Sequence, residues 1–355
     1  METGRKLKTY KPLEKNMYLV GMAGQNVIYN IVGAALAYYL QFTLLIPAFV
    51  VSTIMALARV WDAFNDPMMG TIVDKTRSKW GKCRPYLLFV PIPIFIITVA
   101  CFTNFGFYDP SIGVFAGNNA LIVVYAAVTY VLWGMAYTVG DIPLWGITAL
   151  MTQDQKDRAK LLSLARIAGG IGAGITVVAI QPVALALGEK FAPAMGSAAK
   201  GERMGFIAAA TIFGLIGTIT FQMAGIFTRE RIPASKETHT LKENFALMWT
   251  NKPFRQILLS GIFGSPKQLL MLAAMPLVTY YYASKDPKLA IAYMGMMAGG
   301  LFFGQFVAMA LVPKLLTRFS KKDVYNYSNL LATIPYLGIF MLYLIGRSNL
   351  TQPLY

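Results

Sequence analysis

The chain has 355 residues, of which 56% are hydrophobic and only 14% charged, and its mean hydropathy is +0.53. Soluble domains carry about 25% charged residues, so this balance excludes a soluble globular protein and identifies an integral membrane protein. A net charge of +16 is compatible with nucleic-acid binding in principle, but the placement of the basic residues along the chain gives it another meaning.

The first 15 residues are polar and basic, and the apolar run behind them is too long for the h-region of a signal peptide, so none is expected. Nine segments meet the requirement of about 20 mainly apolar residues: 19–42, 46–72, 86–102, 120–145, 161–187, 205–227, 257–282, 290–312 and 327–345. The fold expected is therefore all-α. With the N-terminus in the cytoplasm, most Lys and Arg fall in inside segments: the N-terminal tail, the loop after the second segment, 156–160, 229–255 and 314–322. Lys190, Lys200, Arg203, Lys285, Lys288 and Arg347 fall outside, and the loop 104–119 has neither Lys nor Arg. This is the positive-inside pattern of a multi-pass plasma-membrane protein, so the basic residues report topology, not a nucleic-acid partner.

The second segment carries Arg59, Asp62, Asn65 and Asp66 within apolar sequence, followed by the basic loop Asp74 to Pro85. Ionisable groups at membrane depth are expensive and mark ion or substrate paths. At about 100° per residue these four positions share one side of a helix. Two carboxylates and an amide oxygen on one side form the donor set that a small hard cation such as sodium requires. The competing reading is a charge-neutralised structural cluster, although one arginine does not need a second carboxylate to balance it.

In the fourth segment Tyr137, Thr138, Asp141 and Trp145 share a face, with Pro143 freeing a backbone carbonyl among them. An aromatic ring beside an acid and an arginine is the make-up of a sugar site, an apolar platform with a few placed polar groups. Interfacial belt aromatics are the alternative, which leaves Asp141 without a reason. Asp62, Asp66 and Asp141 are the acids expected at membrane depth, against Arg59, Arg166 and Lys267. In the fifth segment the run Gly169 to Gly174 has no strand before it and reads as close helix packing, not as a phosphate loop. Lys267, next to Pro266 in the seventh segment, is a candidate for lining the pathway.

The remaining features point to no chemistry. Cys83 and Cys101 indicate neither a disulfide nor a metal site, and no covalent cofactor chemistry is read from the chain. His239 reads as part of a solvated linker, and the 19 methionines as packing residues. No pairing of nucleophile and base appears, so an enzyme is not expected. The organisation read is a six-helix bundle over 1–228, a cytosolic linker over 229–256 and a partial bundle over 257–355. The basic loop after the eighth segment, Pro313 to Lys322, is a weaker counterpart of the one after the second, as in transporters built from parallel halves.

The stretch Trp61-Asp62-Ala63-Phe64-Asn65-Asp66-Pro67, then Gly70, then Arg77-Ser78-Lys79-Trp80-Gly81-Lys82 and Arg84-Pro85, with Trp133-Gly134-Met135 and Asp141-Ile142-Pro143-Leu144-Trp145, resembles the glycoside-pentoside-hexuronide:cation symporters of the major facilitator superfamily. The likeness is dense from about Tyr18 to Arg166 and general beyond. It implies a twelve-helix bundle of which nine helices are present, so that the chain, ending at Tyr355 on the outer side, is a fragment or a truncated product. It implies symport of a sugar with Na+ or H+. The cation would be held by Asp62, Asn65, Asp66 and Thr138, and the sugar by Tyr137, Asp141, Trp145, Arg166, Arg59 and Asn26. Helix 1 has Gln25 and Asn26 where the family pattern has a lysine followed by a sugar-binding aspartate, which bears on recognition of galactosides. Other readings are a carrier of the same fold for a lipid-like solute and a non-transporting membrane protein.

Overall fold

The computed structural model describes residues 9–232, 243, 246, 249–264 and 287–346. His239, Pro266, Lys267, Lys285, Arg347 and Tyr355, which carry expectations above, lie outside the described residues. Among the described residues all regular structure is helical: α1 (Pro12–Tyr38), α2 (Ala48–Lys75), α3 (Arg84–Phe89), α4 (Pro91–Ala100), α5 (Gly117–Met151), α6 (Gln155–Met195), α7 (Ala198–Phe227), α8 (Lys252–Gly264), α9 (Pro287–Leu315) and α10 (Lys321–Gly346). Five of these runs are long and apolar enough to cross a membrane: α1 with its extension to Thr43, α2, α5, α6 and α7. The third expected span is divided at Val90 into α3 and α4, because Pro91 brings no N–H to continue the hydrogen-bond ladder.

The helices extend past their apolar stretches, since polar end residues cap them. Asp154 accepts from the backbone N–H of Lys156 at 2.7 Å and Asp157 at 3.4 Å to start α6, and Gly196, at φ +71°, ends it. At the foot of α1 the Lys11 N–H donates to Glu14, a first-turn acid placed to receive it. Beyond Tyr38 the helix widens into a π-turn over Tyr39–Thr43, and the Tyr39 hydroxyl donates to the Phe102 carbonyl at 2.6 Å.

The chain divides into two units, Met1–Leu272 and Ala273–Tyr355. In the first, α1, α6 and α7 pack closely through small residues. A Cβ at Gly172 would lie 2.3 Å from the Ala23 carbonyl oxygen of α1, and one at Gly205 would lie 2.1 Å from that of Ala184. The glycine run of α6 is thus a packing surface for α1, as its apolar setting implies. The α2 helix packs mainly on α5, and Val51, Ile54, Ala58, Asn65 and Met69 are among its buried residues.

One end of this unit is tied by polar contacts. Glu230 accepts from the backbone N–H groups of Lys82, Cys83 and Arg84 at 2.8, 2.7 and 3.1 Å. Arg231 pairs with the buried Glu14 at 2.6 Å. The loop between α2 and α3 is therefore anchored, with Gly81 at φ +113° supplying the left-handed turn. Burial pushes the Cys83 thiol up to about 12, so it stays protonated and inert. In the second unit Ser320 and Asp323 cap α10 reciprocally, Ser320 Oγ donating to the carboxylate at 2.6 Å and accepting from the Asp323 N–H at 3.1 Å. The basic turn expected between these two helices lies between α9 and α10.

Two glycines of one helix give a direct test of the packing. Gly172→Ala is expected to destabilise by about 1 to 3 kcal/mol through overpacking against Ala23. Gly174→Ala, with nothing within 4 Å, is expected to be neutral or slightly stabilising. Thermal unfolding in detergent compares them, and equal midpoints would mean that the α1–α6 contact is not tight.

Candidate functional site

The site grows from two helices whose inner stripes meet. On α2, Arg59, Asp62 and Asp66 follow one another at helical spacing, and on α5 the stripe is Tyr130, Trp133, Gly134, Tyr137, Thr138 and Asp141. With Tyr29 of α1, they line a cavity of about 130 Å³. The two carboxylates of α2 are held differently. Asp66 Oδ1 accepts from Thr138 Oγ1 at 3.0 Å, whereas Asp62 Oδ2 lies 3.3 Å from a guanidinium nitrogen of Arg59. Gly134 is what allows Asp62 so near α5: a Cβ there would stand 3.1 Å from Asp62 Oδ1.

Asp141 borders a second polar group. Its Oδ1 accepts from Gln25 Nε2 at 2.6 Å and from Trp145 Nε1 at 3.1 Å. Gln25 also donates to the Tyr137 hydroxyl, and its own oxygen accepts from Asn26 Nδ2 at 2.8 Å. Arg166 places its guanidinium carbon 4.4 Å from the centroid of the Trp145 ring, a cation–π contact. The acid, the tryptophan and the arginine read from the sequence are thus assembled, but the arginine stacks on the indole and no ion pair joins it to Asp141. Gln25, present where the family pattern has a lysine, donates to the acid instead.

Among the expected cation residues, Asp62, Asp66 and Thr138 come together in the cavity. Asn65 does not line it: the residue is buried, and its amide nitrogen finds no partner among the described residues. Asn26 faces Gln25 and the Met22 carbonyl and does not reach Asp141. Tyr29, Tyr130, Trp133 and Gln25 were not among the expected site residues. Stepping the Tyr137 and Asp141 stripe back by three and four residues reaches Trp133 and Tyr130, so a signal for these two was present. Tyr29 and Gln25 come from another helix and have no such local signal. The aromatic residues support one another: Trp133 and Tyr137 stack with centroids 5.2 Å apart at 20°, and Tyr29 meets Tyr137 at 5.0 Å.

Comparison with known proteins matches residues 17–353 to the family described as MFS/sugar transport protein. The chain is similar to the inner membrane symporter YicJ of Escherichia coli, with 26% identity covering 92% of this chain and 66% of the relative. It is 27% identical to the isoprimeverose transporter of Lactiplantibacillus pentosus, over 90% of this chain and 62% of the relative. It is 26% identical to the glucuronide carrier protein homolog of Escherichia coli, over 91% of this chain and 66% of the relative. The chain therefore spans between 62% and 66% of the length of these relatives. They uphold the resemblance to the glycoside-pentoside-hexuronide symporters, and they are transporters, not enzymes.

The Gln25 network predicts a measurable stability effect. Gln25→Leu removes a donor from Asp141 and from Tyr137 while keeping the volume apolar, and leaving those buried groups short of a partner costs about 1 to 3 kcal/mol. A detergent melting curve for Gln25→Leu that superimposes on that of the unmodified chain would mean the bond contributes nothing.

Proposed function

The chain belongs to the family of MFS/sugar transport proteins, and we propose that it is a cation-coupled sugar symporter that imports a glycoside, pentoside or hexuronide by alternating access. The observation carrying this reading is the convergence of Asp62, Asp66 and the Thr138 hydroxyl in one cavity whose wall includes Asp141. Oxygen donors of this kind suit sodium, and a proton taken up by the same carboxylates is its rival. Asn65 lies next to Asp66 but outside the cavity lining, so the cation set that the geometry supports is Asp62, Asp66 and Thr138.

The sugar is held in this reading by Asp141, Trp145, Tyr137 and Arg166, with Asn26 and Arg59 at its margins. In this reading a pyranose ring stacks on Trp145, and its hydroxyls exchange donors with Asp141, to which the indole N–H donates. A cation drawing Asp62 and Asp66 together settles α2 against α5, and α5 is the helix that bears Asp141 and Trp145. The two ligands therefore stabilise the same arrangement, and by linkage each tightens the binding of the other. No step makes or breaks a covalent bond.

The proposed topology places the N-terminus in the cytoplasm, a six-helix bundle over 1–228, a cytosolic linker over 229–256 and a partial second bundle over 257–355, nine helices of a twelve-helix plan in the plasma membrane. The partners are the sugar, a monovalent cation and the lipid bilayer. Relatives named for isoprimeverose and for glucuronide bracket neutral and acidic sugars.

Uptake in proteoliposomes tests the reading, with lactose, raffinose and a methyl glucuronide as probes and an inward sodium gradient as the driving force. Accumulation above equilibrium is expected for at least one probe, and Asp62→Ala/Asp66→Ala is expected to reduce it to equilibration. Accumulation that survives in the double variant would overturn the ion site. Trp145→Ala is expected to weaken sugar affinity by about tenfold, near 1.4 kcal/mol, while sodium affinity measured without sugar stays as it was. Equal losses for the two ligands would make Trp145 a structural residue.

A further inference from the structure

Past the end of α2 the chain turns through a basic loop, and this loop and the residues after α7 enclose a groove of about 620 Å³ that shares no lining residue with the carboxylate cavity. Arg77, Lys79, Lys82 and Arg231 line it, against one acid, Glu230. That acid is already engaged: both of its oxygens accept from backbone N–H groups, those of Lys82, Cys83 and Arg84. Even when Asp74 and Glu14, which pair with Lys82 and Arg231, are counted, the bases outnumber the acids. The bond to Asp74 uses one of the three donors of the Lys82 ammonium. Lys79 pairs with no carboxylate among the described residues, and its ammonium lies 5.1 Å from the centroid of the Trp80 ring. The same lysine joins the groove to an apolar surface. Trp80 is exposed and meets the exposed ring of Phe89 with centroids 5.7 Å apart. Ile92 and Ile96, also exposed, follow Phe89 at spacings of three and four, and the backbone between α3 and α4 keeps helical angles through Val90.

We infer that this groove binds the phosphate of an anionic phospholipid, whose acyl chains lie along Phe89, Ile92 and Ile96. The inference stands apart from the symport reading and needs only that the helices span a membrane. A phosphate draws on ammonium donors that the protein leaves with little competition from carboxylates, Lys79 first and Lys82 beside it, within the field of Arg77 and Arg231. Tryptophan favours the boundary between membrane and water, so Trp80 sets the charged groove on the wet side of that boundary and the apolar stripe on the other. A soluble phosphate compound fills the groove but leaves the stripe unused, and a lipid without net charge does the reverse. An anionic phospholipid uses both. The proposed topology turns this end of the unit toward the cytoplasm, and the cytoplasmic leaflet is the one rich in anionic lipid.

Native mass spectrometry of the full chain in detergent tests this, with dioleoyl phosphatidylglycerol, dioleoyl phosphatidylcholine and glycerol phosphate as probes. The first phosphatidylglycerol is expected to bind about tenfold more tightly than either of the other two. Lys79→Gln is expected to weaken it by about fivefold, and Lys79→Arg to keep it. Lys156, an exposed lysine in the first turn of α6 and outside the groove, is the control of equal charge, and Lys156→Gln is expected to leave the first phosphatidylglycerol as it was. Lys79→Gln without loss, or with the same loss as Lys156→Gln, overturns the inference, since attraction to the overall positive charge would then suffice. Phosphatidylcholine binding as tightly as phosphatidylglycerol overturns it as well. Glycerol phosphate binding as tightly as the lipid does so too, in favour of a soluble phosphate ligand.

Discussion

A carboxylate at membrane depth has no bulk water to return to, and Asp62, Asp66 and Asp141 each find a donor within the protein: Arg59 for the first, Thr138 for the second, Gln25 and Trp145 for the third. Those donors come from α1, α2 and α5, so satisfying the acids fixes which helix faces must meet. The α2–α5 seam and the cavity beside it are two results of that one requirement. The bare Cα of Gly134 belongs to it as well, since a larger residue would stand against the Asp62 carboxylate.

The polar wall needs rigid support, and the support is apolar. The α1, α6 and α7 helices approach so closely at Gly172 and Gly205 that backbone lies against backbone, which dispersion contacts favour in a lipid environment where helices gain little from leaving the solvent. α1 contributes to both features. One face packs on α6 and α7, while Gln25 and Tyr29 reach toward α5. A displacement of α1 is therefore felt at Asp141 and at the aromatic group together. After the end of α7, Glu230 holds the loop that follows α2 and Arg231 holds Glu14 at the foot of α1, which limits how α2 can move by itself.

The two acidic centres differ in character. Asp62 and Asp66 face open space and keep lone pairs free for a ligand, whereas Asp141 is already drawn into a network that passes through Gln25 to Tyr137 and Asn26. In the proposed symport an ion at the first would meet the Arg59 contact of Asp62 alone, whereas a sugar at the second would have to exchange hydrogen bonds with groups that are satisfied. Asp141 belongs to both, which gives a short physical path for one ligand to influence the other.

By itself the sequence determined the class, the approximate positions of the five membrane-length helices and the identity of the acids. These follow from quantities local to the chain: apolar length, the 3.6-residue period and the cost of charge in lipid. The stripe from Tyr137 to Trp145 and the α2 motif were legible for the same reason, because residues of one helix share a face through spacing alone. The third span was read as one helix although Pro91 divides it, since apolar composition does not register a missing N–H. Asn65 was placed with the cation residues because spacing puts it on the same side of the helix as Asp62 and Asp66. Only the packing of α2 decided that it is buried outside the cavity lining. Tertiary structure likewise decided that Arg166 lies on Trp145 and that Gln25 bonds to Asp141, because contacts between α1, α5 and α6 depend on helix rotation and approach, which no local period encodes.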